Sequence, residues 1–342
     1  MPRPLRRLLV AAILFPPLCA QGAPEPAPEL KRLEPLLGNW AGSGGADFGE
    51  ALQWKARSSY RWVHDGHFLQ EDTEIVFDGG MAPMVFRSYL GWDRDLGRYV
   101  NVVVHNGGLA KVHEFQLLAD GTMLQTMLQS QQGQPYAERV RTTVRGESMA
   151  LTIDLLLAEG ASRTALEGTL TRSDQEYEVD WQCKAFDGAM PAPELQQLQR
   201  SAGVYEVRGA MVMAPGMPEV AITGTDTFQR VFGDTILHGV TVGTAEGMPG
   251  EYRGDVFWSF DAARKCLHGV YVSNFGEMMA MDAHWVADQL VSVSAGKVQG
   301  QVLAQRMVLS FGPDGKATAA ENHTLAATGD AFRSFHATYK AK

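Results

Sequence analysis

Two histidines flank a tight turn in His64-Asp65-Gly66-His67, the spacing in this chain that most resembles a reactive site. An Asp-Gly pair readily takes the positive φ angles of a two-residue hairpin, so the imidazoles would face one another across two strands, as a metal pair does. Two ligands without a third make a poor zinc site, and the aligned positions in a second copy of the sequence, introduced below, are Phe232 and Thr235. The motif therefore reads as a structural hairpin. Methionines crowd other stretches: Met81 and Met84, Met211, Met213 and Met217, Met248, then Met278, Met279 and Met281. Thioethers suit reduced copper, but no such stretch carries a Cys or His partner set, and flexible Met side chains also line adaptable apolar cavities. The apolar reading is preferred. No Gly-x-Ser-x-Gly, Gly-rich phosphate loop or His-Glu-x-x-His occurs, so no catalytic residue is assigned and no cofactor is expected.

The N-terminus sets the compartment. Arg3, Arg6 and Arg7 precede the apolar run Leu8 to Leu18 and the small residues Ala20, Gly22 and Ala23, the pattern of a secretory signal peptide over residues 1–20 with cleavage after Ala20 or Ala23. Eleven apolar residues containing Pro16 and Pro17 are too few to span a bilayer, which takes roughly 20. Cys19 lacks the Leu-like residue and small spacers of a lipobox. The sequence thus predicts a periplasmic or secreted protein with no stable membrane insertion after cleavage. Loss of three arginines leaves 27 basic residues against 39 acidic ones, a net charge of -12 in place of -9. Such a surface repels phosphate backbones, which excludes nucleic acid as a partner. Cys183 and Cys266 remain, and free thiols are favoured over a bridge because the two sit in different halves.

The elements that position these residues come in two copies. PAPELKRLEPLLGNW (26–40) and PAPELQQLQRSAGVY (191–205) agree at seven of fifteen positions, and YLGWDRDLGRYVNVVVHNGG (89–108) aligns without gaps on FWSFDAARKCLHGVYVSNFG (257–276). The offset is 165 at the first match and 168 at the second, which points to duplication of a whole domain. After a linker at 21–28, the modules are placed at 29–186 and 193–342, with 187–192 as the exposed link.

Within each copy the dominant period is two. Tyr60 to Asp72 reads as a hairpin, and Tyr99 to His105 places Val100, Val102 and Val104 on one face of a half-buried strand. Similar runs occur at Met149 to Leu157, Glu176 to Gln182, Gln289 to Val293 and Met307 to Phe311. Leu30, Leu33 and Leu37 after Pro28 predict one short leading helix per copy. The fold class is therefore all-β: two tandem antiparallel barrels, each opened by a short helix.

The order helix, Gly38-Asn39-Trp40, strand meander resembles the lipocalin superfamily, whose members open with Gly-x-Trp at the closed end of the barrel. That resemblance implies an Arg from the last strand lying across the Trp, a role for Arg172 over Trp40, with Tyr205 and Lys340 as the counterparts in the second module. More closely, each copy resembles a module of domain-of-unknown-function family 1579. The residues that carry it are a hairpin (Tyr60, Trp62, Gly66, Phe68, Leu69) and a turn (Gly91, Trp92, Asp93, Gly97, Arg98, Tyr99). In the second copy Ser259, Lys265, Cys266 and Leu267 replace four of the turn residues. In the nitrobindin branch of lipocalin-like barrels a late-strand His ligates haem iron, which makes His336 a haem candidate, weighed against an ordinary hydrogen-bonded histidine.

The leading functional expectation is a binding protein that holds a small hydrophobic or amphipathic molecule in a barrel cavity lined by Val100, Val102, Val104, Val270 and Val272. The alternative is a structural or interaction protein of the envelope with filled barrels, and a haem-binding barrel comes third.

Overall fold

A computed structural model describes residues 24–131, 134–157, 160–247, 250–298, 301–326 and 329–342. The expected signal segment, Cys19 and Met248 lie outside these. A 3-10 helix (Pro28–Leu36) leads into β1 (Gly38–Asp47), β2 (Ala51–Val63), β3 (Phe68–Phe77), β4 (Met84–Asp93), β5 (Arg98–His105), β6 (Leu109–Leu117), β7 (Met123–Gln131), β8 (Gln134–Arg145), β9 (Ser148–Leu157) and β10 (Ser162–Ser173). An α-helix, α1 (Pro193–Gln199), leads into β11 (Gly203–Met211), β12 (Val220–Val231), β13 (Ile236–Ala245), β14 (Tyr252–Asp261), β15 (Cys266–Ser273), β16 (Met278–Val286), β17 (Gln289–Val298), β18 (Gln301–Phe311), β19 (Ala317–Leu325) and β20 (Ala331–Ala341). Each set of ten forms an antiparallel meander closed on itself, the first strand pairing with both the second and the last. Closure removes every sheet edge that could pair with another chain. Among the described residues no helix is long and apolar enough to cross a membrane.

The leading helices act as plugs. Leu30, Leu33 and Leu36 are buried at helical spacing beneath Trp40, Tyr60, Leu69 and Leu90, which project inward from the strands. In the second barrel Leu195 and Leu198 of α1 do the same beneath Tyr205, Trp258 and Leu267. These ends are the floors. Antiparallel alternation then puts the β2–β3 and β4–β5 turns at the floor, and the β1–β2, β3–β4 and β5–β6 turns at the mouth. The Trp54 ring fills the first barrel by lying over a wall with no side chains: a Cβ would come within 2.7 Å of it at Gly44 and 2.3 Å at Gly168.

A third core lies between the barrels. Val85, Tyr89, Val102 and Val104 of the first pack against Phe232, Phe257, Val270 and Val272 of the second. This corrects the sequence reading of the valine stripe. On β5 it is Tyr99 and Asn101 that face inward, with Leu90 and Phe115, and the Val102 and Val104 face points out of the barrel into the seam. Val270 and Val272 do likewise on β15. Val100, 1% exposed, shares their face.

The seam is isologous, each barrel offering the same patch to the other. The β2–β3 turn of the first barrel places His67 against Gly276 at the mouth of the second, where a Cβ would come within 2.6 Å of the imidazole. The equivalent turn of the second barrel places Thr235 against Gly108, at 3.3 Å. Floor therefore meets mouth on both sides: the barrels stand side by side and point in opposite directions.

The chain between barrels runs through this seam. The first barrel ends at Ser173 and α1 begins at Pro193. Glu176 to Gln182, expected to be a strand, makes no ladder. Its alternation has another cause: Tyr177, Val179 and Trp181 pack into the seam, while the Tyr177 amide donates to Ser59 Oγ (2.7 Å) and the Trp181 carbonyl accepts from the Phe232 amide (2.8 Å).

Candidate functional site

The floor of the first barrel is fixed by one aromatic and one cation. The Trp40 indole donates to the Leu36 carbonyl (2.7 Å), and Arg172 lies over the ring at 4.0 Å while donating to the Leu37 and Pro35 carbonyls, so the plug, β1 and β10 meet at one point. The second floor is built differently. Tyr205 is fully buried and donates to the Ser201 carbonyl (2.5 Å). Lys340, expected above it, is exposed and sits opposite Glu206, because the ladder sets Tyr205 against Ala341. The β18–β19 ladder carries one extra residue where Ser310 pairs with Ala319 and Phe311 with Ala317, and a one-residue shift moves a side chain to the other face. Lys316, from the β18–β19 turn, reaches the floor instead and donates to the Ala202 carbonyl (2.5 Å).

Above the floors the interiors change character. In the first barrel Glu71 is enclosed; burial raises its pKa, and the Tyr60 hydroxyl donates to Oε1 at 2.7 Å. Higher up, Asn101 donates to Gln125 (3.2 Å), yet Asn101 Oδ1 and His113 Nε2 are buried without a partner. Burial, with the Lys111 charge nearby, pushes His105 and His113 down to about 4, so both imidazoles are neutral at pH 7. Burial also raises Glu138 on the same inner face. Around these groups Val103, Met127, Ile153 and Leu155 are only half-buried, whereas Trp40, Leu69 and Leu90 below them are sealed.

The second barrel repeats the gradient with different chemistry. Asp226, 6% exposed, projects inward from β12. Burial raises its pKa, opposed by hydrogen bonds from Thr241 and Tyr339, while its Oδ1 has no partner. Asn322 Oδ1 on β19 is likewise buried and unpaired. The Tyr271 hydroxyl rests on the bare backbone of Gly254, where a Cβ would come within 2.4 Å. Glu277, exposed in the β15–β16 turn, accepts from the Ser273 hydroxyl at 2.8 Å and puts a carboxyl at the mouth.

Other residues singled out from sequence lie elsewhere. The His64-Asp65-Gly66-His67 turn takes positive φ at His64, Asp65 and Gly66 and inserts into the seam, where Asp65 accepts from Asn274 (3.0 Å) and His67 Nε2 meets the Pro24 carbonyl (2.8 Å). His64 Nε2 approaches Asp255 at 3.2 Å and His238 Nε2 approaches its other oxygen at 2.6 Å. Burial would raise Asp255, but these two histidines hold it well below the ordinary carboxylate range, so both Nε2 atoms are the donors. Beside them Arg87 grips Asp72 through two bonds of 2.6 and 2.8 Å beneath the Trp181 ring. Sequence reasoning missed this network, whose members come from both halves of the chain.

His336 does not enter a cavity. Phe335, Ala337 and Tyr339 supply the inner face of β20, and His336 points outward opposite Ala210 and Glu321, which removes the haem expectation. Met279 and Met281 pack inside the second barrel, and Met278 joins the seam. Cys183 and Cys266 are free, with both thiols pushed up by burial, Cys183 to about 11. Among the described residues no group of three or more His, Cys, Asp or Glu side chains could hold a metal ion.

Residues 190–301 match the model of a protein family described as a protein of unknown function, DUF1579. The match falls on the second module. No curated protein matches the chain. Among solved structures, Rv2717c from M. tuberculosis is 18% identical over 44% of this chain and 99% of its own, with a TM-score of 0.34. The S-type phycobiliprotein lyase CPES from Guillardia theta is 12% identical over 46% and 97%, with a TM-score of 0.31. A DUF3598 protein of unknown function from Nostoc punctiforme is 10% identical over 92% and 99%, with a TM-score of 0.26.

Proposed function

We propose that this two-barrel chain, whose second half matches the DUF1579 model, is a binding protein of the cell envelope that holds a small hydrophobic or amphipathic molecule in the upper half of a barrel. The observation that carries the reading is the gradient inside each barrel. A filled structural barrel satisfies its buried polar atoms, because each one left unpaired costs about 1 to 3 kcal/mol. Here Asn101, His113, Asp226 and Asn322 keep unpaired atoms beside half-open apolar walls, as a site awaiting a polar head and an apolar body would. The test is native mass spectrometry of the mature protein with a titration of anilinonaphthalene sulfonate and dodecanol. Stoichiometric occupancy is expected; no occupancy by either probe would sink the reading and favour filled, structural barrels.

The export reading is part of the same proposal. Pro24 already belongs to the fold through His67, which supports cleavage at or before Ala23. The mature N-terminus in envelope extracts should be Gln21 or Pro24. An intact Met1 would overturn export.

A further inference from the structure

We propose that the second barrel selects an amphipathic amine, a chain whose protonated primary ammonium is bound by Asp226. The inference rests on the binding reading and deepens it for one of the two interiors. Asp226 is almost wholly enclosed, and only one side of its carboxyl is used, by Thr241 and Tyr339. Among the described residues inside this barrel, its Oδ1, the Oδ1 of Asn322 and the Tyr271 hydroxyl are buried without a partner; the amide oxygen and the ionised carboxyl can only accept. An ammonium brings three N–H donors and no acceptor, which complements that set; a hydroxyl brings one donor.

Charge points the same way. Among the described residues of β11 to β20, the Lys, Arg or His on an inward face is Arg230, at the floor end of β12 opposite Leu237, where Asp234 (3.9 Å) and the Gln199 carbonyl (3.4 Å) hold it; Arg208, Arg253, His268, His284, Arg306, His323, His336 and Lys340 lie on the outward face of their strands. Arg230 is engaged at the floor, no ion pair forms at Asp226 among the described residues, and the exposed Glu277 adds negative charge at the mouth. A carboxylate or phosphate head would meet negative charge, a neutral head would leave burial to favour the protonated carboxyl, and an ammonium would hold Asp226 ionised as its ion-pair partner. The Tyr339 hydroxyl donates to Asp226, and the Tyr271 hydroxyl lies within reach of its charge. The first barrel lacks this pattern, since its unpaired atoms include an imidazole nitrogen as well as an amide oxygen.

The experiment compares three probes of one chain length, dodecylamine, dodecanol and dodecanoate, by calorimetric titration of the mature full-length protein at pH 7. One site should take dodecylamine roughly ten-fold more tightly than dodecanol, the factor that corresponds to about 1.4 kcal/mol, with dodecanoate weakest. Asp226→Asn should abolish the preference, so that the variant binds dodecylamine no more tightly than it binds dodecanol. Equal affinities for amine and alcohol, or an amine preference that survives Asp226→Asn, would overturn the inference while leaving the binding reading intact. Failure of all three probes to bind would remove both. Should Asp226→Asn fail to fold, the order of the three affinities in the unaltered protein decides the matter alone.

Discussion

Tyr89 and Phe257 stand 168 positions apart, occupy the same place in the two barrels, and meet across the seam with ring centroids 6.0 Å apart. A residue that touches its own counterpart lies on the two-fold axis of an isologous interface. Both rings are sealed from solvent, at 1% and 0% exposure, so the axis runs through packed core rather than through a hinge.

The barrels should therefore unfold as one unit. Phe257→Ala opens the seam and should cost about 3 to 5 kcal/mol. Differential scanning calorimetry of the unaltered protein should show a single transition, and of the variant a lower one or two separated ones. Two well-resolved transitions in the unaltered protein would mean that the seam does not couple the halves.

Trp40→Ala removes a fully buried ring and leaves the Arg172 guanidinium without the face it covers. A loss of about 3 to 5 kcal/mol is expected, read as a shifted denaturation midpoint. Because the seam links the barrels, fluorescence of tryptophans in either half should report the same shift. An unshifted midpoint would contradict the burial of Trp40.

Arg87→Met strands the fully buried Asp72, to which Arg61 also donates at 3.0 Å. Breaking such a pair costs about 3 to 5 kcal/mol, largely through the charge left behind. Adding Asp72→Asn should recover much of that loss. If the double variant is no more stable than Arg87→Met, the pair is not what Arg87 contributes.

His105 and His113 set an acid limit. Their folded pKa values, about 4, lie below the ordinary 6.5, so the unfolded chain binds their protons first. Their stabilising effect is complete above pH 6.5 and disappears as pH falls toward 4. Replacing both with Gln should flatten the loss of stability between pH 6.5 and 4.5 by on the order of 3 kcal/mol, measured by urea denaturation at each pH. The buried Glu71 and Glu138 titrate alike in both proteins and drop out of the comparison. Parallel curves for the two proteins would contradict the assignment.

Strands, turns, plugs and duplication were legible in the sequence because they are local: period-two alternation, Asp-Gly and Gly-bearing turns, and Leu spacing after Pro28. The seam was not. Residues 99–105 are apolar on both faces, the mark of a strand buried on both sides, and alternation alone does not say which face meets a barrel's own interior. The repeat nevertheless held the clue. The residues shared by both copies include Val102 and Val270, Val104 and Val272, Asn106 and Asn274, and Gly108 and Gly276, and these pairs lie along the seam. Asn106 and Asn274 show why: each pins its own mouth turn by accepting from a neighbouring strand's amide, at Val85 and Arg253, and donates across to the connecting chain or the partner barrel. The inner polar groups left no comparable trace, since Asp226 aligns with Ser58 and Glu71 with Gly239.

The opposed stance of the barrels would govern traffic under the binding function proposed above. With one mouth at each end of the molecule, a flat membrane or a bulky partner can dock against only one opening at a time. A guest leaving one chamber must pass through water and travel the length of the protein before it can enter the other. If the proposed binding function holds, the two interiors are independent berths, loaded and emptied from opposite directions, rather than a relay that passes cargo internally from one to the next.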